Sequence, residues 1–533
     1  MVAKLRSHIV LILLGCAVIS LSTFFVYSHL AAAEDPPASG APGPPSTSVS
    51  TAPADVVLAR EIDRVIDESD ATVARWGVFV MSLNDGRVIH SRNGDRLFTP
   101  ASNMKIFTTG VALDLLGSDY RWRTSVYGQK QVESNGTLEG DLILYGRGAP
   151  DLDSKRGLPA LADQIYQRGV RHVRGNIVGD ESYFRGELYG SGWQWNDLQW
   201  YFGAAPSALS VDENSFEVTI APADKSGSSA SVVVSPNDNY FQLTNGTKTG
   251  EHDAPTTIGI IRELSSNQLR VWGEFPARGR SFSAFLAIHN PALRAATLFK
   301  QTLIARGIRV DGEARSRDAR VPESEKFDPQ KASELATVES QTLGAIVRKT
   351  NKESNNLYAE LILRTLGKER GHTAPDPNPR KHRTRGDDEA GAAVIKWWLT
   401  SHGASTSALA IHDGSGLSRL DLVTPQSAVK LLMAMAKSPQ AETFRDSLPI
   451  AGRDGTLRGR LLSESGRVVA KTGYLTYAQS LSGYALAAGG DTLVFSIMCN
   501  DGTGQSHPVR TIDQIAKLLA AQNSGAQRKT SQK

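Results

Sequence analysis

A mixed α/β (α+β) chain with an antiparallel sheet flanked by helices is the class this sequence predicts, on three observations. Near the start, the alternating runs Trp76–Leu83 and Arg87–His90 are joined by Asn84-Asp85-Gly86, a strong hairpin signal. Near the end, Arg467–Thr472, Leu481–Leu486 and Thr492–Met498 read as strands. Gly489-Gly490-Asp491 turns between the last two, and an apolar-periodic helix over Pro508–Ala521 follows. Between these ends, Arg121 to Val321 is a long series of short apolar runs separated by Gly, Asn, Asp and Pro, such as Leu142-Ile143-Leu144 and Val232-Val233-Val234. That pattern predicts a large, mostly-β insertion.

At 533 residues the chain exceeds one ordinary core, so two or three domains are expected. With 59 basic and 55 acidic residues the net charge is +4, too near balance to point to nucleic acid, and no basic, aromatic-interleaved patch occurs. Lys4 and Arg6 precede an apolar stretch from Ile9 to Leu30, with Ala31-Ala32-Ala33 beyond it. Residues 1–33 therefore read as an export signal, or as a membrane anchor through residues 9–30. The expected compartment is periplasmic or extracellular. Residues 34–54, rich in Pro, Ala and Ser, read as a linker. A first catalytic part is expected over 55–125, the inserted mostly-β region, probably two small domains, over 126–330, a second catalytic part over 331–521, and a polar tail over 522–533. Of the two cysteines, Cys16 lies in the export segment, so the mature body has no partner for Cys499 and no cysteine metal site. The eleven histidines lack ligand spacing, and neither metal nor cofactor is expected.

In chain order, Val56–Ile66 has helical periodicity. Thr99-Pro100 then opens a helix, with Thr99 placed to cap it, Pro100 at its first position, and apolar residues at Ala101, Met104, Phe107, Val111 and Leu115 before Gly117. Leu293–Ala305, Thr342–Lys349, Leu357–Leu366, Ala392–Leu399 and Ser427–Ala436 are further helices. A polar joint over 351–356 separates two of them. Residues 372–390, polar and charged of both signs, read as a solvated loop.

The opening helix carries the chemistry. Ser102 and Lys105 lie three apart on one face, a hydroxyl beside a possible base. The base must be neutral, and bringing a lysine from about 10.4 to about 7 takes roughly 4–5 kcal/mol of differential destabilisation, which burial and a second cation can supply. Alone this pair is ordinary. Two more elements follow in order: Ser354-Asn355-Asn356 in the polar joint, and Lys471-Thr472-Gly473 at the end of an apolar strand. Duplicates exist. Ser427 and Lys430 repeat the first pair after Thr424-Pro425, Lys248-Thr249-Gly250 repeats the third, and S-x-N recurs at Ser82, Ser91, Ser235 and Ser265. Order and context favour the first set, since Lys248 sits in a polar stretch and Ser427 follows Ser354.

S-x-x-K, S-x-N and K-T-G in this order resemble the signature of penicillin-recognising serine enzymes. Together with Gly140-Asp141-Leu142, Pro206-Ser207-Ala208-Leu209-Ser210 and Asp413-Gly414-Ser415-Gly416-Leu417-Ser418-Arg419, the chain resembles the D-Ala-D-Ala carboxypeptidase/endopeptidase family of low-molecular-mass class C penicillin-binding proteins. The resemblance implies a penicillin-binding-protein/β-lactamase-like transpeptidase fold and peptidoglycan stem peptides as substrate, with β-lactams as acylating inhibitors. It implies Ser102 as nucleophile, Lys105 as base and Ser354 as proton relay, with Asn356, Lys471, Thr472, Gly473 and Tyr474 binding substrate. Lys471 would help keep Lys105 neutral, and Gly473 would let substrate approach the strand. Tyr474 departs from the Ser or Thr usual after K-T-G. A β-lactamase and a non-catalytic cell-wall scaffold are the alternatives.

Overall fold

The computed structural model describes residues 49–523, apart from 238–239, 323–325, 375, 377–384 and 505. The expected export segment, most of the linker and nearly all of the polar tail lie outside the described residues. The first helix, α1 (Pro53–Asp67), starts inside the stretch expected as linker, with Pro53 at its first turn. Its apolar stripe, Leu58, Ile62 and Ile66, is buried. Next come β1 (Arg75–Ser82) and β2 (Val88–Arg92), the expected hairpin, then a 3-10 turn at Ala101–Asn103 that runs into α2 (Met104–Leu116).

The inserted stretch holds β3 (Arg123–Gly128), β4 (Leu142–Tyr145), α3 (Gly157–Gln167), β5 (Ile177–Asp180), β6 (Ser215–Ala221) and β7 (Ser231–Ser235). It continues through β8 (Gln242–Thr249), β9 (Gly259–Arg262), β10 (Gln268–Phe275), β11 (Phe282–Ala287), α4 (Pro291–Ala305) and β12 (Ala314–Arg317) to β13 (Ser333–Glu339). Four helices follow: α5 (Leu343–Glu353), α6 (Asn356–Arg370), α7 (Asp387–Ser401) and α8 (Pro425–Met435). The chain closes with α9 (Ala441–Ser447), β14 (Val468–Leu475), β15 (Ala478–Leu486), β16 (Thr492–Asn500) and α10 (Pro508–Ala521).

One antiparallel sheet joins the two ends of the chain, in the order β14-β15-β16-β1-β2. Period-two alternation gives it two apolar faces. Trp76, Val78 and Val80, with Phe495 and Ile497, pack under α1 and α10. Phe79, Met81, Val494 and Met498 pack under α2 and α8, in a core that also takes Ile362 and Trp398. This is the expected helix–sheet–helix arrangement, and α2 lies inside it, buried over ten successive positions.

In the inserted stretch, β12-β5-β4-β3-β13 form a mixed five-stranded sheet with its own core around Leu144, Ile165 and Phe299. Two three-stranded sheets, β8-β10-β9 and β11-β6-β7, enclose a smaller core around Val218, Val271 and Leu286.

Candidate active site

Ser102 is the middle residue of the 3-10 turn, so the expected α-helical first turn is tighter than anticipated. Thr99 does not cap it: the Thr99 amide donates to Asn500 Oδ1 at 2.7 Å, and Asn500 Nδ2 donates back to the Thr99 carbonyl. The helix is pinned by the sheet rather than by a local cap. Ala101 has φ 49°, a left-handed conformation that costs a non-glycine residue about 1–2 kcal/mol. Three contacts hold that strained turn. Ser480 Oγ donates to the Pro100 carbonyl, Asn103 Nδ2 donates to the Lys471 carbonyl, and Gly416 packs so close that a Cβ there would sit 1.8 Å from the Ala101 carbonyl oxygen.

Lys105 is fully buried. Its Nζ lies 3.0 Å from Ser102 Oγ, 2.6 Å from Asn356 Oδ1 and 2.7 Å from the Ser415 carbonyl. The last two groups can only accept. A neutral amine has two N–H bonds and one lone pair, so Asn356 and Ser415 take both hydrogens and the lone pair is left for the Ser102 hydroxyl. Burial brings Lys105 down to about 7, against the opposing pull of the Asp413 and Glu360 carboxyls.

The second wall is the joint between α5 and α6. Ser354 ends α5 with φ 61°, and Asn355 caps α6 by accepting from the Tyr358 amide at 3.0 Å. Ser354 Oγ lies 2.9 Å from Lys471 Nζ, while Asn356 is held between Lys105 and the Phe202 carbonyl, to which its Nδ2 donates at 2.9 Å. On the third wall, β14, Lys471 is fully buried and its amine also donates to the Thr472 carbonyl. Burial first, then repulsion from Lys105, push Lys471 well below the usual lysine range. The like-charge effect thus falls on Lys471, whereas Lys105 is lowered by burial, a reversal of the emphasis expected from sequence. Thr472 Oγ1 lies 2.7 Å from Thr456 Oγ1, and the Tyr474 side chain is 72% exposed at the cleft edge.

A hydroxyl, a buried amine near neutrality, a second hydroxyl–amine pair and a strand edge converge here, an arrangement suited to acyl transfer through serine. The model of the D-Ala-D-Ala carboxypeptidase 3 (S13) family matches residues 58–522. The chain belongs to that family. It is a serine-type D-Ala-D-Ala carboxypeptidase, a penicillin-binding protein. A D-alanyl-D-alanine carboxypeptidase of Actinomadura sp. (strain R39) is 33% identical over 476 residues, 87% of this chain and 84% of the relative. DacB of Haemophilus influenzae, also named a D-alanyl-D-alanine carboxypeptidase, is 27% identical over 79% of this chain and 84% of its own length. The crystal structure of penicillin binding protein 4 from the same organism matches with a TM-score of 0.72 at 25% identity, covering 86% of this chain and 98% of the other.

All eight sequence-predicted residues of this S13 carboxypeptidase line one cleft or its walls. Gly473 has a different neighbour from the one expected: a Cβ there would lie 2.1 Å from Ser480 Oγ and 2.7 Å from the Pro100 carbonyl. Its bare Cα therefore admits the enzyme's own Ser102 turn. The duplicates are accounted for locally. Ser427 Oγ donates to the Thr424 carbonyl at 2.7 Å in a capping box, and Lys248-Thr249-Gly250 ends β8 in a small inserted sheet.

Sequence reasoning passed over the support behind Lys105. Glu360 Oε1 accepts from the Gly414 and Ser415 amides at 3.0 and 2.8 Å, which fixes the Ser415 carbonyl on Lys105. Asp413 accepts from the Gly416 and Ser418 amides, Ser415 Oγ and Trp193 Nε1. Burial, then repulsion from Asp413, raise Glu360 to about 8, and the same two causes push Asp421 well above the carboxylate range. The run Asp413-Gly414-Ser415-Gly416 signals a tight turn, but its approach to Lys105 is a tertiary fact with no local signature.

Proposed function

We propose that this enzyme cleaves the D-Ala-D-Ala end of peptidoglycan stem peptides, and D,D-cross-links, through an acyl-enzyme on Ser102, and that β-lactams acylate the same oxygen. Neutral Lys105 takes the Ser102 proton as Oγ attacks the carbonyl carbon of the penultimate D-Ala. The resulting oxyanion is met by the backbone N–H groups of Ser102 and Tyr474. The leading amides of a 3-10 turn lack an acceptor within the turn, and such donors typically contribute a few kcal/mol each. The C–N bond then breaks, with the proton delivered to the leaving amine through Ser354. Water resolves the ester. Lys471 and Thr472 bind the terminal carboxylate, which supplies Lys471 with the counter-charge that its burial withholds in the free enzyme. Asn356 orients Lys105 in the free enzyme, and Gly473 keeps the Ser102 turn against β14.

The observation that carries this reading is the three-way placement of Lys105 Nζ between Ser102, Asn356 and Ser415. Work on the cell wall requires export, so we place the enzyme in the periplasm or outside the cell, with residues 1–33 as signal or anchor. No helix among the described residues is long and apolar enough to cross a membrane. Fluorescent penicillin tests the assignment. Labelling should be lost in Ser102→Ala and kept in Ser427→Ala, and label retained by folded Ser102→Ala would refute it.

A further inference from the structure

We propose that a polar cleft of about 490 Å³ between the inserted stretch and α6 is a binding site for a small anion, a carboxylate or phosphate group, separate from the catalytic cleft. Four cationic side chains line it: Arg185, Arg320, Lys326 and Arg364. Arg364 is 3% exposed, its Nη2 donates to the Glu187 carbonyl at 2.7 Å, and its Nε meets no acceptor. A buried guanidinium N–H left unpaired costs about 1–3 kcal/mol or more, and charged groups of this kind are retained where a ligand completes them.

The carboxyls of the cleft do not cancel its charge. Asp318 is committed to Arg320, whose Nε donates to Oδ2 at 2.9 Å. Glu181 is pushed upward by burial, towards its neutral form. Glu187 alone stands against Lys326, Arg185 and Arg364. Planar guanidinium groups set around a cavity of this size suit a carboxylate or phosphate oxygen pair, held by charge-assisted hydrogen bonds. Arg364 lies eight residues beyond Asn356 on α6, about 12 Å along the helix axis, so the cleft lies behind the catalytic site.

Calorimetric titration of the purified chain with inorganic phosphate and, separately, with N-acetylglutamate tests the proposal and separates the two sources of anion. At least one should bind saturably. That affinity should fall about tenfold or more in Arg320→Gln, whose exposed side chain makes misfolding a poor explanation, and in Arg364→Lys, which keeps a charge but loses the planar fork. Penicillin labelling of Arg320→Gln should match the wild type and so certify its fold. Absence of saturable binding of either anion to the wild type, or equal affinity in wild type and Arg320→Gln, would overturn the proposal.

Discussion

Glu360 decides how well Lys105 is held, because it acts on that amine twice. Its oxygen fixes the Ser415 carbonyl, and its charge, when present, favours the lysine ammonium. The two effects separate by substitution. Glu360→Gln keeps an acceptor for both amides without a charge, so penicillin acylation at pH 7 should stay near wild type. Glu360→Ala strands two buried N–H groups at about 1–3 kcal/mol each and should slow acylation at least tenfold. Stopped-flow acylation rates check this, and equal rates in the two variants would remove Glu360 from the account. Stability has a sign as well. Glu360 titrates near 4.5 when unfolded and near 8 when folded, so the folded state holds the extra proton between those values. Stability from this group is complete below pH 4.5 and lost as pH rises through about 8, by up to about 1.4 kcal/mol per pH unit. Urea unfolding of Glu360→Gln from pH 5 to 8 should show a shallower loss than the wild type. An identical slope would contradict the assignment.

Two glycines set the spacing between elements. Gly473 on β14 and Gly416, at φ 79°, both press on the turn that carries Ser102. Gly473→Ala would force the turn and the strand apart, at about 1–3 kcal/mol of overpacking. The expected outcome is a folded protein with a modestly lower melting temperature and acylation slowed by far more than the stability change implies. Loss of stability with normal acylation would show that the turn is not what the glycine protects. The elements themselves were legible in the sequence. The hairpin, the three late strands and α10 follow from period-two and period-3.6 patterns with turn residues between them. Element ends shifted where tertiary contacts outvoted local signals: α7 starts at Asp387 rather than Ala392, and Thr99 gives up its capping role to Asn500. Gly473 was found but misread, because a sequence shows that a side chain is missing and not which neighbour needs the space.

Across the whole molecule, three distant segments supply the cleft walls, and the inserted stretch buttresses each from behind. The Phe202 carbonyl holds Asn356, Glu213 accepts from Asn355 Nδ2 at 2.8 Å, and Trp193 Nε1 donates to Asp413 Oδ2 at 2.8 Å. None of these was readable from sequence, since a carbonyl has no residue code and Trp193 sits in a Gly- and Trp-rich run without periodicity. Trp193→Phe should cost about 1 kcal/mol of stability and slow acylation roughly fivefold, and unchanged values for both would deny the insertion a supporting role. The order of the three motifs was legible because each needs a fixed local spacing. Their meeting depends on the antiparallel sheet that brings β14 beside β15 and the Ser102 turn. The claim at the centre is that burial makes Lys105 a neutral base for Ser102 near pH 7. The pH dependence of the second-order rate of penicillin acylation tests it most directly. A single rise with its midpoint near 7 is predicted, as the lysine loses its proton. A rate still climbing towards the ordinary lysine range near 10.4 would contradict it.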